Sequence, residues 1–161
     1  MIDLSLIVLK PRLAIIAKKK RWPLSIATRQ RGDYMITVDR LMTKNLINIE
    51  TGASTMEAAM LMKRHKIGSV FVKRENRIVG IITEPDIIRK VVGAERVPYY
   101  VPVEDIMSTP LIGIDSRRPI TEAADIMQQY GTRHLAVYSD GSVIGVLSVR
   151  DLLHSVSIDD F

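Results

Sequence analysis

Apolar residues in this chain fall into short runs separated by polar turns, and the runs predict a regular order of elements. Leu46–Ile49 is suited to a strand, and the segment 54–65 places most of its apolar residues on one helical face. Two further apolar runs, 70–72 and 78–82, are suited to strands joined by a turn. The segment 84–92 then favours a helix. Together they predict a unit with the order strand, helix, strand, strand, helix.

The same order recurs at a constant offset of 65 residues, so that residues 38–91 align with 103–156 without a gap. Two copies of one unit usually share a core, because neither buries its apolar surface alone, and they leave a cleft between them. Twelve pairs of residues are identical in this register: Val38/Val103, Met42/Met107, Leu46/Leu111, Ile47/Ile112, Ile49/Ile114, Glu57/Glu122, Ala58/Ala123, Ala59/Ala124, Met62/Met127, Val72/Val137, Gly80/Gly145 and Asp86/Asp151.

Local signals support these elements. Ser54 and Glu57 have the spacing of a capping box, in which each side chain satisfies the other's backbone N–H. Pro119 suits the first turn of the matching helix in the second copy, and Asp140-Gly141 is a strong hairpin signal. The strand runs contain consecutive apolar residues instead of alternating ones, which predicts sheets covered on both faces.

Composition narrows the classes of protein. The chain has 161 residues, 47% of them hydrophobic and 25% charged, which is typical of a globular protein and not of a disordered one. It has no cysteine, which excludes disulfides, zinc–thiolate sites and thiol nucleophiles. The lack of cysteine and the small number of Asn and Gln residues also fit a protein from a hot environment. We expect a cytoplasmic protein.

The net charge of +5 is concentrated at the N-terminus. Residues 1–34 carry eight Lys or Arg and two Asp, whereas the remaining residues carry 15 basic and 16 acidic side chains. Leu4–Leu9 is too short to span a bilayer, and its charges follow the apolar run instead of preceding it as in a signal peptide. Three interpretations of this leader remain open: a solvated tail, an amphipathic basic segment over 13–22 that contacts nucleic acid or an anionic membrane, or an extension before a natural start at Met35.

Two in-register motifs, Gly80–Asp86 and Gly145–Asp151, make residues 38–156 resemble a pair of CBS domains (the cystathionine-β-synthase type). The resemblance implies an α/β (α+β) fold of two β-α-β-β-α units packed sheet to sheet with pseudo-twofold symmetry. We divide the chain accordingly into a basic leader at 1–34, a first unit at 35–92, a linker at 93–102 and a second unit at 103–161.

The resemblance also implies a function. Many members bind adenosine-containing ligands such as AMP, ADP, ATP or S-adenosylmethionine in the clefts, and they regulate a partner protein without being enzymes or requiring a cofactor. Pairs of this family commonly form a flat homodimer through their helices. We expect the homodimer faces to include Ala58, Ala59, Met62, Ala123, Ala124 and Met127 with the terminal helices.

Each T/S-x-x-D segment has two compatible interpretations. Thr83 and Ser148 can cap the following helix, with Asp86 and Asp151 in its first turn. A carboxylate can also accept hydrogen bonds from two adjacent ribose hydroxyls, and the resemblance implies that use.

The second copy offers more cations for a phosphate than the first does. Arg133 and His134 precede its second strand, and Arg150 stands beside its aspartate. The first copy offers only Lys66 nearby, so its site is expected to be weaker, to take an uncharged ligand or to be empty. The predicted lining of the base is Thr109, Pro110 and Leu111 in the second copy, and Asn45 and Leu46 in the first.

No histidines or carboxylates stand at metal-ligand spacing, and no catalytic triad is evident, so we do not expect an enzyme. Three functional hypotheses remain. The first is a regulatory module that binds an adenosine ligand, as a homodimer. The second is a nucleic-acid or membrane-surface adaptor that uses the leader. The third is a structural dimer whose clefts bind nothing.

Overall fold

The structure is a computed structural model that describes residues 36–156, with the side chains described as far as Leu153. All of these residues belong to one compact unit of the chain. The three interpretations of the leader, including a start at Met35, concern residues outside the described range.

The first half of the described chain follows the predicted order. Its elements are α1 (Val38–Leu41), β1 (Asn48–Glu50), α2 (Thr55–His65), β2 (Ser69–Arg74), β3 (Arg77–Thr83) and α3 (Glu84–Ile87), which continues as a π-helix over Ile88–Val92. The linker holds a short 3-10 helix at Pro98–Tyr100.

The second half repeats this order. It begins with a 3-10 helix at Val103–Asp105 and continues with β4 (Gly113–Asp115), α4 (Ile120–Tyr130), β5 (His134–Ser139), β6 (Ser142–Ser148) and α5 (Val149–Val156). Pro119 occupies the N-cap of α4 instead of its first turn, because the helix begins one residue later than expected. The first strand of each unit also begins two residues later than its apolar run, at Asn48 and Gly113.

Each unit contains one three-stranded mixed sheet. In the first, β1 pairs with β2 in parallel and β2 pairs with β3 antiparallel, and β4, β5 and β6 repeat this pattern. Each antiparallel pair has an irregular register at the same place, after Val72 and after Val137. The two sheets thus confirm the predicted α/β fold class.

The two sheets pack against each other. One buried cluster contains Phe71 and Ile81 from the first sheet and Ala136 from the second, with Tyr138 and Val146 packed around them. Leu46 and Leu111 also pack against this cluster, which explains why they precede the strands. The inner face of each sheet is therefore covered by the other sheet. This agrees with the runs of consecutive apolar residues, which predicted sheets covered on both faces.

The first residues of each unit, which we call its leading segment, complete the hydrophobic core of the other unit. Val103 and Ile106 stand at the start of the second unit but are buried among the core residues of the first. Val38 stands at the start of the first unit and is buried among those of the second. This exchange means that the cores of both units depend on both parts of the chain.

Paired contacts show the pseudo-twofold relation directly. Four isolated bridges join the halves, and the offset of 65 residues converts each bridge into another: Thr43–Val146 into Ser108–Ile81, and Ser54–Pro102 into Pro119–Thr37. The repeated glycines show the same pseudo-twofold relation, because each lies against a methionine of the other unit. A Cβ atom at Gly80 would lie 2.5 Å from Sδ of Met107, and one at Gly145 would lie 2.6 Å from Sδ of Met42.

The expected homodimer faces need a correction. Of the six expected residues, Ala59 is half-buried and Ala124 is exposed. The other four, Ala58, Met62, Ala123 and Met127, are at most 4% exposed, because they face the cores of their own chain. They are therefore unable to contact a partner. Among the described residues, the large exposed apolar side chains on α2, the π-helix, α4 and α5 are Met60, Ile88, Val92, Tyr130 and Leu153, and the 3-10 helix of the linker adds Tyr99 and Tyr100.

Candidate functional site

The start of α5 holds the first candidate carboxylate. The backbone N–H and the hydroxyl of Ser148 both donate to Oδ2 of Asp151, each over 2.7 Å. In return, Ser148 Oγ lies 3.4 Å from the backbone nitrogen of Asp151. These contacts confirm the predicted cap. They also fix the orientation of the carboxylate, since one oxygen carries both bonds.

The other oxygen of Asp151 has no partner among the described residues. Within residues 36–153, no donor and no cation is bonded to Oδ1 of this half-buried carboxylate. A carboxylate oxygen accepts two hydrogen bonds readily, and a partly buried one is less completely hydrated than one on the surface. Asp151 is therefore an oriented acceptor that a ligand hydroxyl can reach.

Basic side chains surround this carboxylate. His134 begins β5 and pairs in register with Ser148 at the end of β6. The carbonyl of Arg133 accepts a hydrogen bond from the N–H of Val149, which brings the start of β5 against the start of α5. Arg150 stands on the first turn of α5 and is exposed. We call Arg133, His134, Ser148, Arg150 and Asp151 the Asp151 site.

Both arginines of the Asp151 site are exposed, and neither forms an ion pair in the described part of the chain. Their charges are therefore not neutralised by a fixed carboxylate partner. A small anion could recruit both without breaking an existing salt bridge. This gives the site a positive edge beside its oriented carboxylate.

His134 lies at the junction of the two units. Its Nε2 atom and the Glu84 carboxylate both lie within 4 Å of the position that a Cβ atom would take at Gly68. Burial lowers the pKa of His134 and Arg133 lowers it further, while Asp151 and Glu84 oppose the shift. The imidazole is consequently neutral near pH 7 and offers a hydrogen bond instead of the charge that the sequence suggested.

The matching carboxylate of the first unit, Asp86, is held differently. Thr83 donates to Oδ2 of Asp86 from its hydroxyl over 2.6 Å and from its backbone N–H over 3.0 Å, as Ser148 does for Asp151. Lys90 then forms an ion pair with Oδ1 over 2.9 Å. Both oxygens of Asp86 therefore have partners, and its side chain is only 13% exposed.

The surroundings of Asp86 are also less basic. Gly68 stands where the second unit has Arg133, and Glu84 stands where it has Val149. We call Gly68, Thr83, Glu84 and Asp86 the Asp86 site. Lys66, the cation expected here, is the exposed C-cap of α2 in a left-handed conformation with φ of 54°. Within the described residues it makes no ion pair with Asp86.

Each segment predicted to line the base runs along a strand of the other unit. The Thr109 hydroxyl donates to the carbonyl of Val79 over 2.9 Å, and Ser108 bridges Ile81, so this segment runs along β3 and not along β6. The strand β3 leads to Thr83 and Asp86. This path differs from the predicted grouping of Thr109 and Pro110 with Asp151, because each leading segment crosses to the other unit. Which ligand site these residues line stays a prediction.

The reciprocal segment lies along β6. Thr43 bridges Val146 in an antiparallel arrangement, so Thr43 lies near the end of β6 and Lys44 and Asn45 continue along its edge toward Ser142, away from Ser148. Asn45 and Pro110 are exposed, and the peptide bond that precedes Pro110 is cis. Leu46 and Leu111 are half-buried against the cluster between the sheets, so their side chains contribute mainly to the core.

Lys90 and Glu84 were missed as site residues although the sequence held a signal for each. Lys90 follows Asp86 at the helical spacing of four residues, whereas the second copy has Ser155 at the matching position. Glu84 against Val149 is a charge difference inside the repeated motif. Both signals appear only when the two copies are compared for their differences as well as for their identities.

Neither a metal-ligand cluster nor a membrane-spanning helix occurs within the described residues. Residues 36–153 contain no group of three or more His, Cys, Asp or Glu side chains that could hold a metal ion. In the same part of the chain, no helix is both long and apolar enough to cross a membrane.

Comparison with known proteins agrees with the geometry. A sequence profile of the CBS domain matches residues 38–93 and 103–158. An uncharacterized 17.7 kDa protein of Acidianus ambivalens is 36% identical over 121 residues, which cover 74% of this chain and 72% of that protein. An uncharacterized protein of Methanopyrus kandleri is 33% identical over 120 residues, and these span 73% of this chain but only 61% of the relative.

Among solved structures, a CBS-domain protein of Burkholderia ambifaria with a suggested role in signal transduction superposes with a TM-score of 0.75. The two are 30% identical, and the superposition covers 78% of this chain and 97% of the other.

Proposed function

The chain belongs to the CBS-domain family, and from this premise we propose that it is a regulatory module whose Asp151 site binds an adenosine nucleotide. The family is generally regulatory and not catalytic. The ligand class is AMP, ADP, ATP or S-adenosylmethionine, and the geometry favours a ligand that carries phosphate. The partner that responds is a protein of unknown identity.

The observation that carries this proposal is the available oxygen of Asp151. Ser148 holds the carboxylate through Oδ2, which leaves Oδ1 directed by the cap and without a donor among residues 36–153. The two hydroxyls of a ribose are adjacent donors that can both reach one carboxylate. A fixed acceptor loses little conformational entropy when it binds them, which favours affinity.

The arginines support a phosphate group on the ligand. A nucleotide monophosphate carries about two negative charges, and its lost hydration must be compensated by charge-assisted hydrogen bonds. Arg133 and Arg150 both lie close enough to His134 to lower its pKa, and neither has an ion-pair partner in the described residues. The neutral His134 can donate or accept one further hydrogen bond.

The exchanged segments suggest how binding is transmitted. A ligand at the Asp151 site would lie against α5 and β5 of one unit, near the end of β6 where Thr43 from the other unit is bridged to Val146. Such a ligand would favour one relative orientation of the two units. A partner that binds one orientation better than the other would then sense the ligand.

The test is isothermal titration of the full chain with AMP, ADP, ATP, S-adenosylmethionine and adenosine. We expect saturable binding of at least one nucleotide, and a loss of about tenfold or more in Asp151→Ala, since a hydrogen bond to a charged group contributes about 1.5–3 kcal/mol. Asp125→Ala is the matched control, because Asp125 is an exposed carboxylate on α4. Absence of heat with every ligand at two temperatures would contradict the proposal.

We also propose that the chain forms a homodimer through its helices. Met60, Ile88, Val92 and Leu153 expose more than half of their surface on α2, the π-helix and α5. Exposed apolar side chains of this size on helices favour association. Analytical ultracentrifugation should find a dimer that Ile88→Glu weakens and that the exposed control Gln129→Glu does not. Sedimentation as a monomer at all concentrations would contradict this.

A further inference from the structure

Lys90 joins the two units at the Asp86 site. Its ammonium group lies 2.9 Å from Oδ1 of Asp86 and donates to the carbonyl of Ile106 over 2.6 Å. Ile106 belongs to the exchanged leading segment and is 2% exposed. One ammonium therefore satisfies a carboxylate of the first unit and a main-chain carbonyl that follows the 3-10 helix of the second.

This arrangement removes the acceptor that the Asp151 site leaves open. Thr83 already occupies Oδ2 of Asp86, as Ser148 occupies Oδ2 of Asp151. The two sites differ at Oδ1, which only Asp86 has paired within the described residues. Four residues after the aspartate, the first copy has Lys90 and the second has Ser155.

We propose that Lys90 closes the Asp86 site to ribose, so that a chain with two homologous carboxylates carries a single adenosine site. This inference rests on the proposed function of the Asp151 site, and it names the residue that restricts binding to that site. A ribose at Asp86 would have to displace an ammonium group that bridges two acceptors. The carbonyl of Ile106 would then also lose the hydrogen bond that Lys90 donates to it.

The ion pair should resist displacement better than an ordinary surface pair. An exposed salt bridge contributes little because water screens it and competes for both groups. Asp86 is only 13% exposed, so water competes poorly for this carboxylate, although Lys90 is 45% exposed. A neutral ribose hydroxyl is a weaker partner for a carboxylate than an ammonium group is.

Glu84 provides a second, independent reason for the asymmetry. Its carboxylate lies beside Gly68. In the second copy, Val149 stands in place of Glu84 and Arg133 stands in place of Gly68. A phosphate at the Asp86 site would therefore face a negative charge. Adenosine, which has no phosphate, avoids this repulsion and isolates the effect of Lys90.

The experiment measures adenosine binding by titration in four full-length variants. Asp151→Ala removes the open site, and Lys90→Ser introduces the residue that the second copy carries. The double variant Asp151→Ala/Lys90→Ser then reports on the Asp86 site alone. Arg89→Ser in the Asp151→Ala background is the matched control, because Arg89 is the exposed neighbouring cation on the π-helix.

We expect the double variant to bind adenosine at least about tenfold more tightly than Asp151→Ala alone, which corresponds to about 1.4 kcal/mol. We also expect Lys90→Ser alone to raise the stoichiometry from one adenosine per chain to two. Arg89→Ser should leave Asp151→Ala unchanged. Lys90→Met, which keeps the aliphatic stem, should reproduce the result if the serine variant unfolds.

The inference is overturned if folded Lys90→Ser and Lys90→Met chains still bind one adenosine, or if either change weakens binding, which would make Lys90 a ligand-binding residue. Failure of the proposed function looks different. In that case the unsubstituted chain binds no adenosine compound, or Asp151→Ala leaves its binding unaffected.

Discussion

Replacement of Arg133 by alanine should separate the phosphate from the rest of the ligand. Arg133 stands at the start of β5 beside α5, is exposed, and has no ion-pair partner within the described residues. A charge-assisted hydrogen bond contributes about 1.5–3 kcal/mol, and solvent exposure favours the lower end. We therefore expect Arg133→Ala to weaken AMP binding by about tenfold, since about 1.4 kcal/mol corresponds to that factor.

The same variant should change adenosine binding by less than about twofold, because adenosine offers no phosphate to the guanidinium group. Isothermal titration with both ligands, at two salt concentrations, measures the two factors side by side. Added salt should weaken AMP binding to the unsubstituted chain more than to Arg133→Ala, since exposed charges are screened over about 10 Å at 0.1 M salt. Arg64→Ala, an exposed arginine on α2, is the matched control.

Equal losses for AMP and adenosine in Arg133→Ala would refute this reasoning. Arg133 would then act on the fold of the site and not on the phosphate. A change in Arg64→Ala as large as that in Arg133→Ala would show a general effect of net charge. Thermal unfolding of each variant distinguishes loss of ligand contacts from loss of structure.

Three further predictions concern the fold that holds the site. Ile106→Ala should lower the free energy of unfolding by about 2–5 kcal/mol in chemical denaturation, and hydrogen exchange should increase first in β2 and β3 of the other unit, whose core it completes; increases confined to β5 and β6 would contradict the exchange of segments. Gly145→Ala should cost about 1–3 kcal/mol because its Cβ atom would meet Met42, whereas Gly52→Ala, with nothing within 4 Å, should cost less; equal costs would contradict this packing. The free energy of unfolding should fall as the pH drops below 6.5, because the pKa of His134 is lowered in the folded chain and the unfolded chain therefore binds more protons. Unfolding curves measured over this pH range should show that His134→Gln reduces the pH dependence more than His65→Gln does, and an unchanged dependence in His134→Gln would contradict this.

Local sequence signals were sufficient for the elements and their caps. The capping box at Ser54 and Glu57 and the caps at the two T/S-x-x-D segments form as predicted, because they depend on residues three positions apart. The asymmetry between the two copies was also predicted, although from the basic residues alone. The contacts of Asp86 agree with it for an additional reason, the ion pair with Lys90.

Long-range contacts account for what the sequence did not predict. The assignment of Thr109 and Pro110 to the Asp151 site assumed that neighbours in sequence share a unit in space. The bridge between Ser108 and Ile81 shows that the leading segment instead crosses to the other sheet. No periodicity in a single copy carries that information, because the crossing is a relation between the two copies.

The expected dimer faces also could not be predicted from one copy of the sequence. Ala58 and Met62 form an apolar stripe on α2, and such a stripe alone does not show whether it faces a core or a partner. The structure places both in the core of the first unit and leaves Met60 on the outer surface of the helix. The apolar stripe on α2 therefore indicates close packing within the chain and not a contact with a partner.

A crystal structure of the full chain grown with AMP would test the central claim most directly. We expect one AMP per chain at the Asp151 site, with ribose hydroxyls within hydrogen-bond distance of Oδ1 of Asp151 and the phosphate near Arg133 and Arg150. Asp86 should remain paired with Lys90 and free of ligand. AMP bound at Asp86 instead, or AMP bound at Asp151 with its ribose turned away from the carboxylate, would contradict the account.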